Sequence, residues 1–310
     1  MERKEFISYC RKRIREVLAP LVGTECILTG LPYHRNIGDI LIWEGEVQFL
    51  ESLDLKGIRG SSRMTFTFPA LPESAVILLH GGGNFGDLWP EEHLFRTKVI
   101  QAYPRNRIVV FPQTVWYGNE ASAVEDARIY AAHPDLHICA RDGMSYDFLG
   151  RFFTANDILP APDMAFCIDG LRPSRQADPA RALLVRRTDK ELKDCDIDTD
   201  LAVEVRDWPS YERTTVPPAG RVFEKLLFSR VVPRRLVDIY AARVMRPAMV
   251  QSGVDFLSGY GQIWSTRLHV AILSVLLGLR CTLMDNSYGK NRAFYDTWLK
   301  DSDLIDFAGL

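Results

Sequence analysis

The sequence predicts an α/β protein made of two Rossmann-like, parallel-sheet halves that face a cleft. Short apolar runs alternate with longer segments of helical character along most of the chain. The runs are apolar at nearly every position instead of every second one, the pattern of strands covered on both faces. A stretch rich in proline, glycine and charge, IDGLRPSRQADP at residues 168–179, separates the two alternating halves. A chain of 310 residues is long enough for two domains of ordinary size. The expected division is residues 1–167 as one domain, 168–179 as linker and 180–310 as a second domain, its last helix packing back on the first.

The elements follow in order. CILTGL (26–31) is the first strand, and a helical pattern runs from about 38 to 53. AVILLH (75–80), RIVVF (107–111) and LHICA (136–140) repeat the strand theme, with helical segments at 92–103 and 120–133. Beyond the linker come strands at 182–186 and 201–205, then a polar segment, 206–220, with three prolines. A helical stretch spans 232–257 and should break or kink at Pro247, which removes a donor and crowds the preceding turn. Helix 266–277, strand 280–284 and helix 290–299 complete the chain.

Composition excludes several classes. Hydrophobic residues make up 47% and charged residues 25%, the balance of a folded globular protein. The net charge of −2 argues against general nucleic-acid binding. The charged N-terminal segment is not a signal peptide. The most apolar stretch, 270–279, is half of the ~20 residues a membrane-spanning helix needs. A cytoplasmic location is expected. The six cysteines show no zinc spacing, no metal site is expected, and Cys26, Cys139, Cys167 and Cys281 read as buried free thiols.

In parallel sheets ligands sit at the carboxyl ends of strands, so the residues after each strand are the candidates. They are Tyr33-His34-Arg35-Asn36-Ile37-Gly38-Asp39 after the first, Gly81-Gly82-Gly83-Asn84-Phe85-Gly86-Asp87 after the second, Pro112-Gln113-Thr114 after the third and Arg141-Asp142 after the fourth. The pattern N-x-G-D occurs twice, at Asn36–Asp39 and Asn84–Asp87. Glycine lets a ligand approach backbone N–H groups; asparagine and aspartate bind sugar hydroxyls, and aspartate accepts a proton. The same letters also suit a turn and a helix cap. The triple glycine after a buried strand favours a ligand. Asn36, Gly82, Gly83, Asn84 and Gln113 are the candidate acceptor contacts.

In the second half, Ser265 or Thr266 is a natural helix cap, which puts His269 in the first turn beside Arg267. Lys290 opens the last helix, where the helix dipole disfavours a cation unless an anion is nearby. Arg141, Arg267, His269 and Lys290 together suit a small, highly charged anion such as a phosphorylated carboxylate. Two basic stretches interleaved with apolar residues, Arg11-Lys12-Arg13 with Arg15, and Arg230 through Arg246, are candidate contacts with an anionic membrane at its inner face. Trp89, Trp116, Tyr117 and Trp208 lie near expected loop ends, where they would stack on sugar rings or pack in the core.

These motifs occur in a familiar order: N-x-G-D, HGGGNFGDLWP, FPQT, ARD, APDMAF, TRLH and DNSYGKNRAFYDTWL, spanning Asn36 to Leu299. In this the chain resembles the polysaccharide pyruvyl transferase family. The resemblance implies a two-domain fold like that of the GT-B glycosyltransferases. It implies transfer of the pyruvyl group of phosphoenolpyruvate (PEP) to a sugar hydroxyl pair of a polysaccharide repeat, often lipid-linked, giving a ketal and phosphate without a cofactor. It assigns PEP binding to Arg141, His269 and Lys290, and places Asp39 near the acceptor. On this reading His269 is the general acid or the phosphate's proton partner, and Asp39 or Asp87 is the base. A glycosyltransferase using a nucleotide sugar and a non-catalytic sugar-binding relative are the alternatives. The first predicts nucleotide binding; the second would be favoured by a broken set of cations, which is intact here.

Overall fold

The computed structural model describes residues 1–55, 58–187, 197, 201–211, 229, 231–285 and 289–308. The chain forms two compact units. One comprises Cys10–Pro32 and Gly45–Cys167; the other comprises Met1–Tyr9, Tyr33–Glu44 and Ile168–Leu310. Two helices, α1 (Arg3–Leu18) and α2 (Ile37–Glu51), begin in the second of these units and end in the first.

The unit of Gly45–Cys167 holds a seven-stranded sheet. Its order is β2 (Arg59–Ser61), β1 (Cys26–Thr29), β3 (Val76–Leu79), β5 (Ile108–Trp116), β6 (Leu136–Ala140) and β7 (Asp157–Pro160), with β4 (Gly82–Gly86) also beside β5. Every pairing is parallel. All four residues of β3 are buried, as continuous apolar patterning requires of a central strand. Helices α3 (Pro90–Ala102), α4 (Glu120–Ala131) and α5 (Gly143–Phe152) follow β4, β5 and β6. The Asn119 and Asp142 side chains cap α4 and α5 by accepting from Ala121 N and Ser145 N.

Two expectations need correction here. The third strand does not stop at 111 but runs to Trp116, so Pro112, Gln113 and Thr114 lie within it. The strand tolerates Pro112 because the register with β6 shifts by one residue between Val110 and Gln113, a bulge that removes the ladder position proline cannot fill. The glycine run is likewise no simple loop. After a break at His80 and Gly81 the chain resumes beside β5 as β4, with Gly82 opposite Gln113. Strands β2 and β7 at the sheet edges escaped prediction, being short and only partly buried.

The other unit holds a five-stranded sheet, also parallel throughout. Its order is β12 (Ile305–Ala308), β11 (Cys281–Met284), β10 (Tyr260–Ser265), β8 (Asp178–Val185) and β9 (Val203–Arg206). The central strand β10, YGQIWS, was not predicted, since its glycine and glutamine interrupt the apolar run. Helix α8 (Leu268–Leu277) is buried from Leu268 to Leu276, which explains why it is apolar apart from His269 and Ser274. The stretch around Pro247 does not break. Helix α6 (Arg234–Tyr240) passes through a π-helical turn at Ala241–Met245 into α7 (Arg246–Ser258), and the widened turn accommodates the proline at the start of α7. Lys290 opens α9 (Lys290–Thr297). The polar segment expected at 206–220 is described only to Tyr211.

Cys10, Cys26, Cys139 and Cys281 are buried free thiols, whereas Cys167 is only partly covered. Cys195 lies outside the described residues, as do Arg230 and residues 286–288 of the DNSYGK motif. No helix among the described residues is long and apolar enough to cross a membrane.

Candidate active site

In the unit that contains α8, the first N-x-G-D motif opens α2. Asn36 Oδ1 accepts from Gly38 N at 3.1 Å, and Asn36 Nδ2 donates to Asp39 Oδ2 at 2.8 Å. The asparagine thus fixes both the helix start and the Asp39 carboxylate, which lies in the positive first turn of the helix. His34 Nε2 is 3.6 Å from the same Asp39 oxygen. Gly38 has a specific reason to be glycine: a Cβ there would lie 2.7 Å from His269 Nδ1 and 3.0 Å from His269 Cγ. The imidazole packs flush on the backbone of the glycine that precedes Asp39.

His269 enters this contact from the first turn of α8, as predicted, although the helix cap is one residue later than expected. Arg267 is the cap residue, and Ser265 Oγ instead accepts from Arg267 N at 2.8 Å, shaping the turn out of β10. The Arg267 guanidinium is buried against Asp207, donating to both carboxylate oxygens, the second at 2.7 Å. Asn291 in α9 donates to Thr266 O at 2.9 Å and Met284 O at 2.8 Å, tying the ends of β10 and β11 together. Lys290 is the neighbour of that asparagine, preceded by Gly289 in the left-handed conformation (φ 80°). His269, Arg267, Asp39, Asn36 and Lys290 thus belong to one unit.

The other unit carries the second set. His80 Nδ1 and Gly81 N both bond the Glu46 carboxylate, each at 2.8 Å, and Glu46 is fully buried. Gln113 donates to His80 O at 2.8 Å and accepts from Asn84 N at 3.3 Å, so its amide clamps the glycine run from both ends. Arg96, lying over the Phe85 ring at 4.7 Å, holds the Asn84 side chain and carbonyl. Arg141 is buried, with Nη1 at 2.7 Å from Asp163 Oδ2 and Nε at 2.8 Å from Thr114 Oγ1. The Thr114 hydroxyl in turn donates to Asp142 Oδ2 at 2.7 Å.

Asp87 accepts from Gly118 N at 2.8 Å and Asn119 N at 3.2 Å, fixing the turn before α4. Gly82, in a positive-φ conformation (126°), and Gly83 are the first two residues of β4, directly after the break at His80 and Gly81. Of the aromatics, Trp208 is buried beside Phe256, Tyr117 stacks on Phe148 at 5.5 Å, and Trp89 is exposed.

Sequence reasoning missed four partners: Glu46, Asp163, Asp207 and Arg96. Glu46 is one of four acidic residues of α2 and is distinguished only by its full burial, which calls for a partner. Asp207 gave no signal, because its partner Arg267 lies 60 residues away.

Residues 36–288 match the polysaccharide pyruvyl transferase family. The chain is 32% identical over 286 residues to the Bacillus subtilis protein provisionally named pyruvyl transferase EpsO, covering 89% of this chain and 86% of that one. The chain belongs to the polysaccharide pyruvyl transferase family. It is therefore an enzyme of the pyruvyltransferase class. It is also 30% identical over 301 residues to pyruvyl transferase 1 of Schizosaccharomyces pombe, covering 89% of this chain and 70% of the relative. In fold it is similar to the crystal structure of an uncharacterised Klebsiella pneumoniae protein, with a TM-score of 0.63 at 18% identity over 99% of this chain and 98% of that one. Both N-x-G-D motifs and the R-L-H corner lie within the span that matches the pyruvyl transferase family.

Proposed function

We propose that the enzyme transfers the pyruvyl group of PEP to two hydroxyls of a sugar in a polysaccharide repeat, releasing phosphate and leaving a cyclic ketal. The observation that supports this reading is the packing of His269, in the first turn of α8, on Gly38 in the first turn of α2, the residue that precedes Asp39 in the chain. PEP is an enol phosphate with two anionic ends. Its C3 methylene must gain a proton before C2 becomes electrophilic. His269 supplies that proton. One acceptor hydroxyl then forms a C–O bond to C2 and gives up its proton to Asp39. The second hydroxyl displaces phosphate from C2 and closes the ring, its proton leaving with the phosphate or returning through His269.

Lys290 and the first-turn N–H groups of α8 suit the anionic ends. Arg267 acts here through position, its guanidinium already held by Asp207, and Arg141 is similarly held by Asp163 and Thr114. PEP is the donor substrate in this scheme and no cofactor enters it. Asp39 is preferred to Asp87 as base, because Asp87 accepts two backbone N–H groups.

A peripheral contact with anionic lipid, where a lipid-linked acceptor would reside, belongs to the same proposal. Val231, Leu236, Ile239 and Val244 are exposed among the exposed Arg234, Arg235 and Arg243. Arg246 does not share that face, since it pairs with Glu44 at 3.1 Å and lies over Trp43.

The test is incubation of the enzyme with PEP and a panel of polysaccharide repeat sugars, read by mass spectrometry of the sugars and by phosphate release. The expected result is a pyruvate ketal on one acceptor with equal phosphate, both lost on His269→Ala. Transfer at the wild-type rate by His269→Ala contradicts the assignment of the acid, and transfer from a nucleotide sugar instead of PEP contradicts the donor.

A further inference from the structure

A second ligand site lies away from the residues used above. Between edge strand β9 and helix α7 the structure opens a cavity of about 490 Å³. Its cationic wall is Arg175, Arg181 and Arg206; its other wall is Gln251, Ser252 and Asp255 of α7. None of these six residues serves the His269 corner.

Two of the three arginines are held in place by neighbouring side chains. Arg181 lies 4.4 Å over the Tyr260 ring and Arg206 4.9 Å over the Phe256 ring. A flat guanidinium on an aromatic face keeps its charge while its N–H groups point outward from the ring edge, the geometry that suits phosphate or carboxylate oxygens. Arg181 is also fixed by Glu204 at 2.7 Å, and Glu204 in turn accepts from the Tyr260 hydroxyl at 2.6 Å. On the facing wall Gln251 Nε2 donates to Asp255 Oδ1 at 2.8 Å, holding the carboxylate in one position. A carboxylate, an amide oxygen and a serine hydroxyl on one helix face are acceptors for hydroxyl groups.

The pairing of these walls selects a ligand class. Three guanidinium groups on one side call for a phosphate. Hydroxyl acceptors on the other call for a polyol. The two lining rings already carry guanidinium groups, which leaves them poorly placed to stack a nucleobase. The volume suits a molecule of small-metabolite size. We propose that this cavity binds a phosphorylated sugar, with its phosphate on Arg175, Arg181 and Arg206 and its hydroxyls on Gln251, Ser252 and Asp255. This is independent of the donor assignment at His269 and Lys290.

The experiment is calorimetric titration of the full chain with glucose 1-phosphate, beside glucose, for the wild type, Arg175→Glu, Arg181→Gln and Lys290→Ala. Arg175 is exposed, so its reversal spares the fold even where Arg181→Gln disturbs the Glu204 pair. The expected result is saturable binding of the phosphate ester but not of glucose, weakened about tenfold or more by Arg175→Glu and by Arg181→Gln, and unchanged by Lys290→Ala. Equal affinity in Arg175→Glu overturns the proposal. So does loss of binding in Lys290→Ala alone, or no binding by the wild type at millimolar concentration.

Discussion

The same four letters, N-x-G-D, occur in both units and do different physical work. In Asn36–Asp39 the glycine is required by a side chain, since the His269 ring occupies the place of a Cβ. In Asn84–Asp87 it is required by backbone. Gly86 has φ 111°, and a Cβ there would lie 1.8 Å from the Trp116 carbonyl oxygen of the neighbouring strand. The aspartates divide in the same way. Asp39 is held by one asparagine amide near a histidine, whereas Asp87 accepts the backbone of the turn before α4. A motif therefore specifies a turn chemistry, and only its neighbours decide whether that turn serves a reaction or a fold.

Conservative changes at the paired positions separate the two roles. The largest effect belongs to the aspartates. Asp39→Asn keeps the shape but not the basicity, and turnover should fall about 10²–10⁴-fold. Asp87→Asn keeps one acceptor for two donors and should cost about 1 kcal/mol of stability with turnover within about threefold of the wild type. Rates and denaturant midpoints measured on both variants check this, and equal losses of turnover would erase the distinction. The next effect is Gly86→Ala, which meets a backbone carbonyl and a positive φ together and should cost about 3–5 kcal/mol of stability. A melting temperature close to that of the wild type would refute it. The smallest is Gly38→Ala, which displaces only a side chain. It should cost about 1–2 kcal/mol of stability, while activity falls about tenfold or more as the imidazole moves.

Much of this was legible in the sequence. The apolar runs located β1, β3 and β6, and the start of β5, because a strand buried on both faces has no polar positions to confuse the pattern. His269 in the first turn of its helix and Lys290 at the start of α9 were also legible, since cap and glycine signals are local. What escaped depends on distant partners. β10 is a strand because it lies between β8 and β11, not because YGQIWS reads as one. The extension of β5 through Pro112 depends on pairing with the glycine strand β4 and on a bulge against β6. The pairing of Arg141 with Asp163 and of Arg267 with Asp207 joins segments 22 and 60 residues apart, which no spacing rule anticipates. The second N-x-G-D motif looked equivalent to the first for the same reason, as Trp116 and Gly118 are remote in sequence from Gly86 and Asp87.

In the proposed scheme the donor binds at His269, packed on Gly38, and at Lys290. Calorimetric titration with PEP of the wild type, Gly38→Ala and Lys290→Ala tests it without knowledge of the acceptor. The expected result is saturable binding by the wild type that weakens about tenfold or more in both variants, with their folds intact by circular dichroism. Wild-type affinity for PEP in both variants would contradict it.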